Sequence, residues 1–175
     1  MNERYIRKKF RMEPLTTPER LADARKLIHG VFPEEAAKKL TPGDALQASL
    51  YGDKKAIKKF GIRELQYFLL IDKAKDAVVG TTGLYAPKRT RRDTIWLGWF
   101  CVAHAYRGER LGTFILSWTV AEAKRRGFKK LRLYTSTTPN ESAAQFLYES
   151  LDFKVIGEEK RKEGGYCTLY REKKL

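Results

Sequence analysis

The chain has 175 residues, 42% of them hydrophobic and 12% aromatic, which is one domain's worth of core (residues 1–175) and too apolar for a disordered segment. Lysine and arginine number 36 against 21 acidic residues, and the net charge of +15 suits a nucleic acid, an anionic surface or a small cofactor with several phosphates. No apolar run reaches the ~18 residues of a bilayer span, and the N-terminus carries no apolar signal core, so a cytoplasmic protein with no membrane partner is expected.

In chain order, residues 9–15 read as a first strand. Thr16-Thr17-Pro18-Glu19 then pairs a threonine N-cap with a glutamate three residues on, a capping-box start. Leu21, Ala24, Ile28 and Val31 fall on one helical face ending at Gly30, and a second helical region spans residues 33–50 with a break at 41–44. Residues 65–72 and 77–85 form a hairpin about the turn 73–76. A basic loop, 87–93, leads to the apolar strand 94–103, whose Cys101, like Cys167, has no metal-ligand spacing and reads as a free thiol.

After that strand comes a polar elbow, residues 104–110, and a helix with Leu111, Phe114, Ile115 and Trp118 on one stripe, closing at Arg125-Arg126-Gly127. Residues 131–136 read as a strand parallel to 94–103, because the crossover is a helix with short connections. Thr138-Pro139-Asn140-Glu141 reads as a second capping box opening a helix to about Leu151, and the tail as a hairpin, 153–160 and 166–172, turning at Gly164-Gly165.

The elbow carries the chemistry. The first N–H groups of a helix lack internal partners, and a glycine-containing turn before them adds converging N–H groups, a concavity for phosphate oxygens. The pattern Arg107-Gly108-x-x-x-Gly112 lacks the Lys-Ser/Thr end of a P-loop and is not G-x-G-x-x-G. With Val102, Tyr106 and Leu111 it resembles the motif Arg/Gln-x-x-Gly-x-Gly/Ala of the GNAT superfamily of acyl-CoA N-acyltransferases, with Arg110 replacing the middle glycine. The resemblance runs from about residue 10 to 170. It implies an α/β (α+β) fold: a mixed central sheet flanked by helices, with a parallel strand pair splayed at the cofactor site.

By the same resemblance the cosubstrate is acetyl-CoA and the reaction is transfer of its acetyl group to a primary amine by direct attack. Backbone N–H groups of Arg107, Gly108, Glu109, Arg110, Leu111, Gly112 and Thr113 would hold the pyrophosphate, with the Arg110 side chain facing outward. Cys101, Val102 and Ala103 would pair with the pantetheine arm like an added strand. Asn140 stands where related proteins carry a cofactor-contacting asparagine, one residue farther from the tyrosine. Tyr148-x-x-x-Asp152-Phe153 resembles the family's Tyr-x-x-x-Gly-Phe, which makes Tyr148 the donor of a proton to the leaving thiolate. Ala144, Leu147, Tyr148 and Leu151 share a stripe that equally suits a core tyrosine.

The position where several family members carry a glutamate base falls near Gly98, which cannot titrate; a strand glycine marks a bulge or a close approach. Trp96 and Trp99 are expected in the core or lining an acceptor pocket, and the histidines, His29 and His104, as solvated groups. The acceptor is a small-molecule amine or a protein N-terminal or lysine amine, and family members often form homodimers. Two other readings compete: a nucleic-acid- or ribosome-associated module driven by the charge, which is not favoured, and a CoA-binding domain without turnover.

Overall fold

The computed structural model describes residues 3–32, 41–52, 57–58, 60–161 and 164–175. Seven strands form one sheet in the order β1-β2-β3-β4-β5-β7-β6: β1 Phe10–Pro14, β2 Ile62–Asp72, β3 Ala77–Pro87, β4 Thr94–Val102, β5 Lys130–Ser136, β6 Lys154–Lys160 and β7 Cys167–Lys174. All pairings are antiparallel except β4–β5. The tail hairpin turns back so that β7, the last strand, lies between β5 and β6.

Among the described residues the bounded helices are α1 Glu3–Lys9, α2 Pro18–Val31, α3 Pro42–Tyr51, α4 Leu111–Arg125 and α5 Ser142–Ser150. One sheet face buries Leu21, Ala24 and Ile28 of α2 and Ala45 and Leu46 of α3 against Tyr67, Leu69 and Ile71 of β2. On the other, Leu116 and Ala123 of α4 and Tyr148 of α5 pack on Leu84, Ile95, Leu131 and Leu133. The mixed α/β architecture is the expected one, and the parallel pair carries its decisive detail. β4 and β5 are in register only at Thr94↔Lys130, Ile95↔Leu131 and Trp96↔Arg132, after which they part. From Leu97 onward β4 therefore presents an unpaired edge, and the sheet opens at its middle.

Local details depart from the sequence reading. Helix α1 was not expected; a single buried position, Ile6, leaves no periodicity to read. The cap of α2 is Thr17, whose side chain accepts from the N–H of Arg20, so Thr16 and Glu19 form no capping box, and α2 runs one residue past Gly30. Pro139–Glu141 is a 3-10 turn without a side-chain cap from Thr138, and α5 starts only at Ser142. Glu141 turns instead to the end of β5, accepting from the Thr135 hydroxyl, from Ser136 N at 2.9 Å and from Ser136 Oγ at 2.6 Å. Strand-end donors there outcompete the helix's own. Residues 33–40 of the expected second helical region lie outside the described residues.

Candidate active site

The opening between β4 and β5 is the mouth of a cleft of about 1210 Å³. The elbow stands at one side of it, pinned by Tyr106. That hydroxyl donates to Asp72 Oδ2 at 2.9 Å, and its ring meets Phe10 edge-on at 6.1 Å. Burial favours the neutral acid at Asp72, but the bonds from Tyr106 and from the N–H groups of Ala74 and Lys75 outweigh it and hold the carboxyl below its ordinary value. Arg107 Nε donates to Val102 O at 3.3 Å, tying the elbow to the strand it follows.

Two residues of the elbow have positive φ, Gly108 at 79° and Arg110 at 61°. Arg110 is the N-cap of α4, and no side chain caps that helix. Among the described residues, no N–H group from 108 to 113 donates to any protein atom. Six consecutive donors without a protein acceptor, bent into a nest at a helix N-terminus, make an anion site by backbone alone.

Of the residues singled out in the sequence, Cys101, Val102, Arg107, Gly108, Arg110, Leu111, Gly112, Thr113, Asn140 and Tyr148 border the cleft; Ala103 and Glu109 do not. The main chain of Ala103 is spent inside the protein: its N–H donates to Val79 O at 2.8 Å and its carbonyl accepts from Tyr106 N at 2.9 Å. Strand N–H groups alternate between edges, so Val102, one residue back, turns its N–H to the unpaired side. The Cys101 thiol is buried against Thr81 Oγ1 at 3.3 Å, and burial raises its pKa to about 11, which makes it a poor nucleophile. Arg110 and Asn140 are exposed at the rim.

Tyr148 is 7% exposed, between the rings of Phe100 at 6.5 Å and Phe153 at 6.0 Å. Its hydroxyl makes no hydrogen bond among the described residues, and burial drives its pKa well above the ordinary 10.0, so the phenol stays protonated. Helix α5 is fixed to β7 by buried Arg171, which donates to Gln145 Oε1, Glu149 Oε1 and Phe153 O. Nothing in the sequence flagged Arg171 or the turn of Glu141 toward β5. Trp99 borders the cleft and tilts against Phe32 at 5.3 Å, whereas Trp96 packs between Tyr85 and Tyr170 away from it. His29, His104 and the loop Lys88–Arg92 carry only exposed charge and polarity, Thr90 excepted.

The model of the acetyltransferase (GNAT) family matches residues 35–153, well over half of the sequence. The chain belongs to the GNAT acetyltransferase family. No curated protein sequence matches it. Among solved structures, a GNAT-family protein from Desulfovibrio desulfuricans superposes with a TM-score of 0.72 at 19% identity, over 94% of this chain and 98% of that one. An aminoglycoside 6'-N-acetyltransferase complexed with coenzyme A gives 0.71 at 16%, over 94% and 96%. The ribosomal-protein-S18-alanine N-acetyltransferase of Escherichia coli gives 0.66 at 16%, over 95% and 94%. At such identities these likenesses carry the fold alone.

The two places where this GNAT chain departs from the family's glycines share one geometry. Arg110 and Asp152 both have left-handed backbones, with φ of 61° and 62°. The fold keeps the glycine conformation, and this chain fills it with side chains.

Proposed function

We propose that the protein is a single-domain N-acetyltransferase that moves the acetyl group of acetyl-CoA to a primary amine by direct attack. The observation that carries this reading is the run of unpartnered N–H groups at 108–113, set at the mouth of a cleft opened by the β4–β5 splay. The chain's residues fit the cosubstrate. The nest and the first turn of α4 match a pyrophosphate, Arg107 and Arg110 add positive charge, and the open edge at Val102 matches the amides of a pantetheine arm. When bound, acetyl-CoA supplies an activated thioester.

The remaining steps fall to side chains and backbone. The N–H of Val102 faces the edge where the thioester carbonyl oxygen would gather charge, and donors aimed at such a charge lower the barrier. Tyr148 keeps its proton and gives it to the departing thiolate. No enzyme nucleophile is required, since Cys101 is buried as a thiol. Glu141 is the one carboxylate bordering the cleft among the described residues, and it is held by donors of β5. The amine must therefore lose its proton to solvent before attack.

The free thiols and the lack of any helix long and apolar enough to cross a membrane, among the described residues, are compatible with the cytoplasm as its place. The test is release of CoA thiol from acetyl-CoA across a panel of small amines and peptide N-termini, with the acetylated product identified by mass. Turnover of at least one amine well above acetyl-CoA hydrolysis is expected. Tight CoA binding with no acceptor in any class would support the non-catalytic reading instead.

A further inference from the structure

The end of the cleft away from the elbow contains a feature that the bare Gly98 conceals. A Cβ added to Gly98 would lie 2.8 Å from the Tyr67 hydroxyl oxygen and 3.3 Å from Tyr85 Cδ1. A Cβ added to Gly83 would lie 2.6 Å from Tyr67 Cζ. These residues are register neighbours on adjacent strands, Tyr67↔Gly83 on β2–β3 and Gly83↔Gly98 on β3–β4. The Tyr67 ring thus crosses β3 over one glycine and sets its hydroxyl over β4 at the other. Register slips by one residue between Thr81 and Gly83, a bulge that lets Gly98 and Trp99 both address this face.

The base of the ring is fixed. Tyr67 N donates to Ser49 Oγ at 2.8 Å and its carbonyl accepts from Leu15 N at 3.0 Å. The residue is 1% exposed and borders the cleft, yet its hydroxyl makes no hydrogen bond among the described residues. No buried side-chain oxygen or nitrogen among the described residues lacks a partner, so the Tyr67 oxygen, unbonded within the protein, opens to the cleft, where a ligand group can meet it. The apolar lining of the cleft includes Val31, Phe32, Ile62, Leu65 and Trp99, beside Tyr85, Tyr134 and Arg161, and its one acidic side chain among the described residues, Glu141, is held by β5.

We propose that Tyr67 is the acceptor-binding residue of this acetyltransferase: its hydroxyl accepts the N–H of the attacking amine over Gly98, in a pocket for primary amines carried on an aromatic or aliphatic group. The inference rests on the acetyl-transfer reading above. Burial raises the Tyr67 phenol well above its ordinary value, so it orients the amine's lone pair and does not act as a base. The C–N bond forms as the C–S bond breaks. Tyr148 gives its proton to sulfur and regains one from water, and the extra proton on nitrogen leaves to solvent.

The experiment joins turnover to a stability cycle. With 2-phenylethylamine as probe and spermidine as comparison, the parent protein is expected to favour 2-phenylethylamine in kcat/KM. Tyr67→Phe should lower that value by about tenfold, the loss of one hydrogen bond to the reacting group, with acetyl-CoA affinity unchanged. Independently of activity, Gly98→Ala should lower the Tm of the parent clearly more than that of the Tyr67→Phe background, where the 2.8 Å contact is gone. No turnover of 2-phenylethylamine, an unchanged kcat/KM in Tyr67→Phe, or equal Tm losses in the two backgrounds would each overturn the assignment. Failure of acetyl-CoA to bind the parent would fall on the acetyl-transfer reading, and the stability cycle would still judge the position of the hydroxyl.

Discussion

Replacing Arg110 by glycine should stabilise the free protein. Arg110 has φ 61° and ψ 14°, is exposed, and caps α4 without a side-chain hydrogen bond. A left-handed backbone costs an L-residue about 1–2 kcal/mol, because Cβ crowds the following carbonyl. Glycine removes that strain but adds freedom to the unfolded chain, a loss of about 0.4–1 kcal/mol. The difference favours Arg110→Gly by about 0.5–1 kcal/mol, or roughly 1–4 °C in Tm for a chain of this size. Asp152→Gly should gain less, although φ is 62°, because aspartate tolerates this region and its carboxylate pairs with Lys154 at 2.7 Å. Glu109→Gly, where φ is not positive, should lose about 0.5–1 kcal/mol. Urea unfolding without ligand, at equal m-values, measures all three. An Arg110→Gly protein destabilised as much as Glu109→Gly would refute the argument from backbone strain.

A Cβ at Gly112 would meet Leu147 Cδ2 at 3.4 Å and Phe100 Cζ at 3.7 Å, ordinary contacts, so Gly112→Val should fold while its branches intrude on the cleft. CoA affinity should fall by about tenfold or more, against a few-fold for Arg110→Ala, as read by calorimetry. Tyr148→Phe should keep fold and acetyl-CoA affinity but lower kcat by on the order of 10²-fold in single turnover; an unchanged rate would make Tyr148 a packing residue. Against pH, kcat/KM should climb toward the acceptor's own pKa without a plateau near neutrality. Asp44 and Asp93 do not border the cleft, and the raised pKa of Tyr148 keeps its proton in place over that range. A plateau lost in a Glu141→Gln protein would identify a base this account lacks.

The elbow was legible in the sequence because it is local: an apolar strand, two glycines and an amphipathic helix occupy consecutive positions, and backbone donors need no particular partner. Strand and helix order followed from periodicity for the same reason. The insertion of β7 between β5 and β6 was not legible, since no local pattern encodes which edge a hairpin joins. Glu141 matched a capping box, and only the fold brings Thr135 and Ser136 close enough to claim it. Gly98 was recognised as a bulge or close approach, but the group approaching it comes from Tyr67, two strands away and with no sequence signal beyond the paired strand glycines Gly83 and Gly98. Glu34 and Glu35, two further carboxylates of the second helical region, lie outside the described residues.

In the proposed complex the backbone donors of residues 108–113 grip the pyrophosphate of CoA. Thermal unfolding with saturating CoA, compared with an equal concentration of pantetheine and with RNA at low and physiological salt, tests it most directly. CoA should raise Tm saturably and keep most of that shift at physiological salt, pantetheine should give little, and any RNA effect should fall steeply with salt. A pantetheine shift equal to that of CoA would contradict the claim and move the anchor from the elbow to the strand edge at Val102.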